Sequence, residues 1–280
     1  MAAADLMVMI FNVIVYLIIN YHFPYSFLSY TAVCKFLLYL AFVNLDMSVW
    51  FTVSFTFDRF MAICCQKFKE KYCTKRTATA AIVTLCFLAC LKGVPILFSY
   101  EPERIILKVQ WGCRTTAAVY ALPAWSVYSW IQTLSVPLLP FALMVLFNSL
   151  TVRRILMANR ARRGLRGVVN ENQSDPEIKS RRKSIILLFT ISGSFIFLWL
   201  TAVVSFAVTR LSSTVYYQGD YSNPEFIATE TGYLLVYMSS CTNTCMYAAT
   251  QVKFREELKN ALKSPWVLIH KIVTNKENLK

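Results

Sequence analysis

An all-α, polytopic membrane helix bundle is the fold class the sequence predicts, on three observations. Of 280 residues, 56% are hydrophobic and only 16% are charged, whereas a soluble domain is about a quarter charged. The apolar residues come in long runs, and a helix needs about 20 such residues to cross roughly 30 Å of hydrocarbon. Glycine is scarce, seven in all, and no run alternates apolar with polar residues as membrane β-strands do.

Six spans are expected. The first runs from the start of the chain to about Asn20. The second covers Thr31 to Ile63, longer than a bilayer is thick, so it must tilt or protrude. The third runs from Thr77 to Phe98, the fourth from Trp125 to Leu150, the fifth from Ile185 to Val208 and the sixth from Thr231 to Thr250. Together they form one bundle over residues 1–250. Residues 251–264 carry Phe254, Leu258 and Leu262 at i, i+4, i+8, with Lys253, Lys259 and Lys263 toward headgroups. That pattern predicts a short amphipathic helix on the membrane surface. Residues 265–280 are a tail. No internal repeat is visible.

Charge orients the spans. The net charge is +14, and 22 of the 29 basic residues fall on three alternate segments. Five lie between spans two and three, ten between spans four and five, and seven after span six. A basic balance of this kind belongs to the loops of a membrane protein, not to a nucleic-acid surface. The positive-inside rule places those segments, and the C-terminus, in the cytosol. The chain opens directly in an apolar helix, without the basic stretch or cleavage site of a signal peptide. Two expectations follow: six spans with both ends cytosolic, or a bundle lacking one N-terminal span.

Five motifs resemble those of rhodopsin-like G-protein-coupled receptors. Asp58-Arg59-Phe60 is similar to the D-R-Y that ends that family's third helix, and Cys34 lies 25 residues before Arg59. Ala2-Ala3-Ala4-Asp5 resembles the second-helix L-A-x-A-D. Phe195–Trp199 resembles the sixth-helix F-x-x-C-W-x-P, with Leu198 for cysteine and Thr201 for proline. Asn243–Tyr247 resembles N-P-x-x-Y, with Thr244 for proline, and Lys253–Leu258 resembles the start of the eighth helix. They stand in the family's order, on the matching spans. The resemblance implies a seven-helix receptor architecture of which helices two to seven are present, with helix one missing. A narrower resemblance, carried by "FTFDRFMAICC", "YEPE", "RRKSIILLFTISGSFIFLWLT" and "CTNTCMY…KFREEL", is to the orphan receptor group of probable G-protein coupled receptor 139.

The resemblance implies residue roles. Asp58, Arg59, Asn243 and Tyr247 form the switch toward a heterotrimeric G protein: Asp58 holds Arg59 at rest, and Arg59 swings toward Tyr247 when the helices part. Cys34 and Cys113 form a disulfide at the extracellular end, where oxidation persists. Asp5, Ser48 and Asn243, with Ser239 or Ser240, hold a sodium ion through the oxygen ligands a hard cation prefers; no other cofactor is expected. Ala41, Phe42, Leu45, Trp199, Ala202, Phe206, Tyr233 and Tyr237 ring the ligand pocket. Ala41 stands where amine receptors carry aspartate, which argues against a biogenic amine. An aromatic amino acid or a small peptide is the ligand implied. Arg181 occupies the slot of the acidic sixth-helix partner of Arg59, and Asn148 that of a fifth-helix tyrosine, so signalling without ligand should be raised. Lys92 and Asp46 are odd polar groups in spans three and two. They either face the cavity, or Lys92 snorkels outward.

The reading is therefore a multi-pass receptor of the plasma membrane. Its partners are lipid, a small extracellular ligand and a G protein, not nucleic acid. A truncated, non-signalling isoform is the alternative. A six-helix transporter fits less well, since it needs broken or charged helices repeated in two halves. No nucleophile–base pair, metal-ligand cluster or phosphate loop points to an enzyme.

Overall fold

The structure is a computed structural model, which describes residues 2–19, 22–23, 25–65, 74–165, 176–212, 222–250, 255–257 and 259–260. Helix α1, Ala2–Val8, continues as π-helical turns over Met9–Ile19. Helix α2 is Thr31–Cys64, 34 residues without a break. At about 1.5 Å per residue it is about 51 Å long, so it overreaches a bilayer core as its sequence requires. Helix α3, Lys75–Gly93, starts on a Thr74 hydroxyl that accepts from the Thr77 N–H at 3.2 Å and tightens to 3₁₀ turns over Val94–Phe98.

A small β structure follows. Strands β1 (Tyr100–Glu101) and β4 (Arg114–Thr115) pair antiparallel, as do β2 (Arg104–Ile106) and β3 (Val109–Trp111). The turn residues Leu107 and Lys108 both have positive φ, 49° and 66°, the geometry of a tight hairpin. Asn-Gly, the usual signal, is absent, which hid the turn. Gly112 sits at φ 70°, and a Cβ there would come within 2.8 Å of Glu103.

Helix α4 is Ala117–Ala121, and α5 is Pro123–Thr133. A π-helical turn at Leu134–Leu138, containing Pro137, leads into α6, Leu139–Leu165. Proline cannot donate to the ladder, so the turn widens around it. Helix α7 is Pro176–Ser212 and α8 is Pro224–Thr250. Residues 255–257 and 259–260 are helical, within the segment expected to lie on the membrane; the tail at 265–280 lies outside the described residues.

Among the described residues, four stretches are long and apolar enough to cross a membrane: Thr31–Cys64, Lys75–Phe98, Pro123–Met157 and Ile185–Val208. The first and sixth expected spans are also helices but fall short of that measure. The first offers a shorter apolar helix, Ala2–Val15. In α8, Thr229, Glu230, Thr231, Ser239, Ser240, Thr242 and Asn243 dilute the apolar content. Of these, Ser239, Ser240 and Asn243 are buried, so α8 turns polar groups inward. The core is Val49 and Val53 of α2, Met144 of α6, Phe195 and Trp199 of α7 and Val236 of α8. Helix α3 shows Ile82, Val83, Phe87, Leu88 and Leu91 outward, as a lipid-facing helix does. Gly232 lets α8 close on α7, since a Cβ there would stand 2.8 Å from the Ala202 Cα.

Candidate functional site

Helix α2 carries a chain of pairings along its length. At its first turn, Cys34 is disulfide-bonded to Cys113, with Cα atoms 6.2 Å apart. The hairpin is held on the same end. The Gly112 N–H donates to the Ser29 carbonyl at 2.8 Å, the Thr31 hydroxyl to the Gly112 carbonyl at 2.9 Å, and the Tyr25 and Tyr30 rings pack on Trp111. Further along, Asn12, in the π-helical turns beyond α1, donates to the Ala41 carbonyl at 3.1 Å.

Next come Asp46 and Lys92. Lys92 Nζ donates to Asp46 Oδ1 at 2.7 Å and to Ser135 Oγ, in the π-helical turn, at 3.0 Å. Asp46 is 3% exposed and Lys92 19%, so neither snorkels. The two odd polar groups of the sequence join α2, α3 and the turn beyond α5. Helix packing places them together across 46 residues of chain, a pairing that spacing alone does not show.

Two residues on, Ser48 donates to the Asp5 carboxylate of α1. Asp5 is 1% exposed, and its other oxygen has no hydrogen-bond partner in the protein. The Asn243 amide of α8 faces the same carboxylate. Ser239 is engaged elsewhere: it donates to the Val236 carbonyl at 2.7 Å and accepts from the Trp199 indole N–H at 3.0 Å. Thr52 and Thr56 return their hydroxyls to carbonyls one turn back, each at 2.9 Å. At the far end Arg59 Nη2 lies 3.0 Å from Asp58 Oδ2, and its guanidinium sits 5.1 Å from the centre of the Phe55 ring. The side chains of Tyr247 and Arg181 lie outside the described ones, so no geometry attaches to those roles. Asn148 of α6 is half-buried, and its amide oxygen has no partner.

Above Trp199 lies a cavity of about 140 Å³. Phe42, Leu45, Trp199, Ala202, Phe206 and Tyr233 line it, together with Gln132, Thr133, Val136, Pro137, Val203, Thr229 and Val236. Ala41 and Tyr237 do not line it: Ala41 is buried toward α1, and Tyr237 packs on the core. The contribution of α5 was missed. Its signal was Gln132, a polar residue within an apolar span; the π-helical turn then sets which side of α5 faces inward.

The model of the 7 transmembrane receptor (rhodopsin family) matches residues 1–247. The chain belongs to that family. This receptor is 25% identical over 245 residues to Apelin receptor A of Danio rerio, covering 87% of this chain and 65% of that protein. It is also 25% identical over 236 residues to C-C chemokine receptor type 3 of Macaca mulatta, covering 81% and 59%. The receptor thus spans about three fifths to two thirds of the length of these relatives. Family and apolar helices together make it a multi-pass protein of the plasma membrane, within a family of receptors rather than enzymes.

A charge pair away from water is costly to break from one side only, because the remaining ion keeps its desolvation penalty. Lys92→Met should therefore destabilise the receptor by about 3–5 kcal/mol, and Asp46→Leu combined with Lys92→Met should restore most of the loss. Thermal unfolding of the purified receptor checks this; a double variant no better than the single one would remove the pairing from the account.

Proposed function

We propose that this receptor transmits binding of a small extracellular ligand to a heterotrimeric G protein by rearranging helices around α2. The observation that carries the reading is Arg59, held by Asp58 at one end of the same rigid helix whose Phe42 and Leu45 wall the cavity. Leu45 and Arg59 are 14 residues apart, about 21 Å along the helix. The hairpin end is extracellular in this reading. The Cys34–Cys113 disulfide supports it, since such bonds persist outside the cytosol. The basic segments at the other end, and the C-terminus, are then cytosolic.

The proposed path starts at Trp199. A ligand resting on the indole perturbs its bond to Ser239, which ties α7 to α8. Separation of the helices then frees Arg59. Asp58 and Arg59 are 42% and 33% exposed, so their pairing contributes no more than about 1 kcal/mol. The contact with Phe55 adds about 0.5–1 kcal/mol. A ligand with roughly a thirtyfold preference for the open state offsets both, at about 1.4 kcal/mol per tenfold. Beside Arg59 a cleft of about 340 Å³, lined by Phe60, Cys64, Cys65, Leu150, Arg153, Arg154 and Met157, offers a cytosolic transducer an entry. Two relatives are named as receptors, one for apelin and one for C-C chemokines. The resemblance to the orphan group favours an aromatic amino acid, or the aromatic residue of a small peptide.

Basal nucleotide exchange on a G protein reconstituted with the chain should exceed that of empty vesicles, because Arg181 supplies no acidic lock for Arg59. Arg59→Ala should abolish that output, and Arg181→Glu should lower it. Output at the empty-vesicle level, unchanged by either substitution, would count against coupling.

The same reading gives Asp5, Ser48 and Asn243 a sodium ion. The unpaired Asp5 oxygen, the Ser48 hydroxyl and the Asn243 amide are hard oxygen donors in one place. The ion would supply the positive charge the buried carboxylate otherwise lacks, and hold α1 to α2 and α8. Thermal stability should rise between sodium-free and sodium-rich buffer at constant ionic strength, and Asp5→Asn should remove the rise. A flat response of the unaltered chain would reject the ion.

A further inference from the structure

The cavity over Trp199 contains one side chain whose polar atoms are left unpaired. Gln132 is 9% exposed; its amide nitrogen faces the Tyr128 hydroxyl, but neither amide atom makes a hydrogen bond of good geometry. Leaving a buried donor and a buried acceptor unmade is costly, and such groups need an explanation. Two neighbours on the wall are already satisfied. The Thr133 hydroxyl donates to the Ser129 carbonyl at 2.8 Å, and the Thr229 hydroxyl to the Glu225 carbonyl at 2.9 Å. The remaining wall is largely aromatic and aliphatic.

We propose that Gln132 pairs with a neutral carboxamide of the ligand, which accepts from the Gln132 N–H and donates to its carbonyl while an aromatic ring fills the cavity. This rests on the receptor reading above and names the ligand's chemistry at that site. Three observations converge on it. Neither amide atom makes a hydrogen bond of good geometry, and the Tyr128 hydroxyl that faces the amide is itself spent on the Lys92 carbonyl. A donor and an acceptor therefore remain for a ligand in either orientation of the amide. A second carboxamide is the small neutral group that matches both at once. Among the described residues, no ionisable carboxylate or ammonium lines the cavity. The nearby Asp46 and Lys92 neutralise each other at 2.7 Å. A charged ligand end would therefore lie buried without a counter-ion. Finally, about 140 Å³ is close to the roughly 150 Å³ apolar cavity that takes a benzene ring. A free zwitterionic amino acid fits less well here than an amide-bearing aromatic group, such as one within a peptide.

Three probes of one shape decide the matter: phenylacetamide, phenylacetate and phenethylamine, each added to the purified full chain in lipid nanodiscs. Ligand-observed NMR and thermal shift read binding. The amide should bind at least tenfold tighter than either ion. Gln132→Leu should erase that preference while raising the unfolding temperature of the ligand-free protein, because two unsatisfied atoms are removed. Gln132→Glu should move the preference to phenethylamine, which keeps the test open if the leucine variant fails to fold. Equal binding of all three probes, no binding of any, or an undiminished amide preference in both variants overturns the inference. Basal nucleotide exchange on the same preparation reports on the receptor reading separately, since no probe is needed for it.

Discussion

A polar group inside hydrocarbon must find its partner within the protein, and among the described residues several such partners meet on one helix. Helix α2 receives Asp5 from α1, Asn12 from the π-helical turns that follow it and Lys92 from α3, and the disulfide fastens the hairpin to it. With no water at that depth to substitute, each pairing also fixes a helix–helix register. The position of the cavity follows from this. Once Lys92 fixes α3 and Ser135 against Asp46, Gln132 and Val136 lie across from Phe42 and Leu45, and Trp199 rises from α7 beneath them.

The pairings differ in strength along α2. At the disulfide end the tie is covalent. In the middle it is ionic and shielded, with Asp46 only 3% exposed. At Arg59 it is half-solvated and weak. The gradient separates a rigid ligand-facing half from an end that can exchange partners at small cost. Trp199 stands at the boundary. Its indole holds Ser239 on the turn above Asn243, so the cavity floor and the Asp5 cluster are joined through α8.

Much of this was legible in the residues. The four longest apolar helices, the aromatic wall at Phe42, Trp199 and Phe206, and the closeness of Asp5 to Ser48 follow from span length and from motifs that belong to a family. What stayed hidden depends on packing rather than on pattern. Asp46 and Lys92 look equally odd in any apolar span, and only the rotation of α3 against α2 makes them a pair. Gln132 was one polar letter in an apolar run, and Pro137 gave no sign that the helix would widen around it. The hairpin escaped because Leu107 and Lys108 adopt a turn usually made by asparagine and glycine. Polar residues in α8 lowered its apolar content for the same reason that they matter: Ser239 and Asn243 are buried against partners, not offered to lipid.

The account stands on the direction in which α2 threads the membrane, with the cavity opening outward and Arg59 presented within. The most direct measurement is antibody access to two epitope tags on the full chain in living cells. One tag is placed in the hairpin turn between Leu107 and Lys108, where Leu107 is 93% exposed, and the other after Lys280. The hairpin tag should stain intact cells, and the terminal tag only after permeabilisation. Staining of the terminal tag on intact cells, with the hairpin tag silent, would contradict the account.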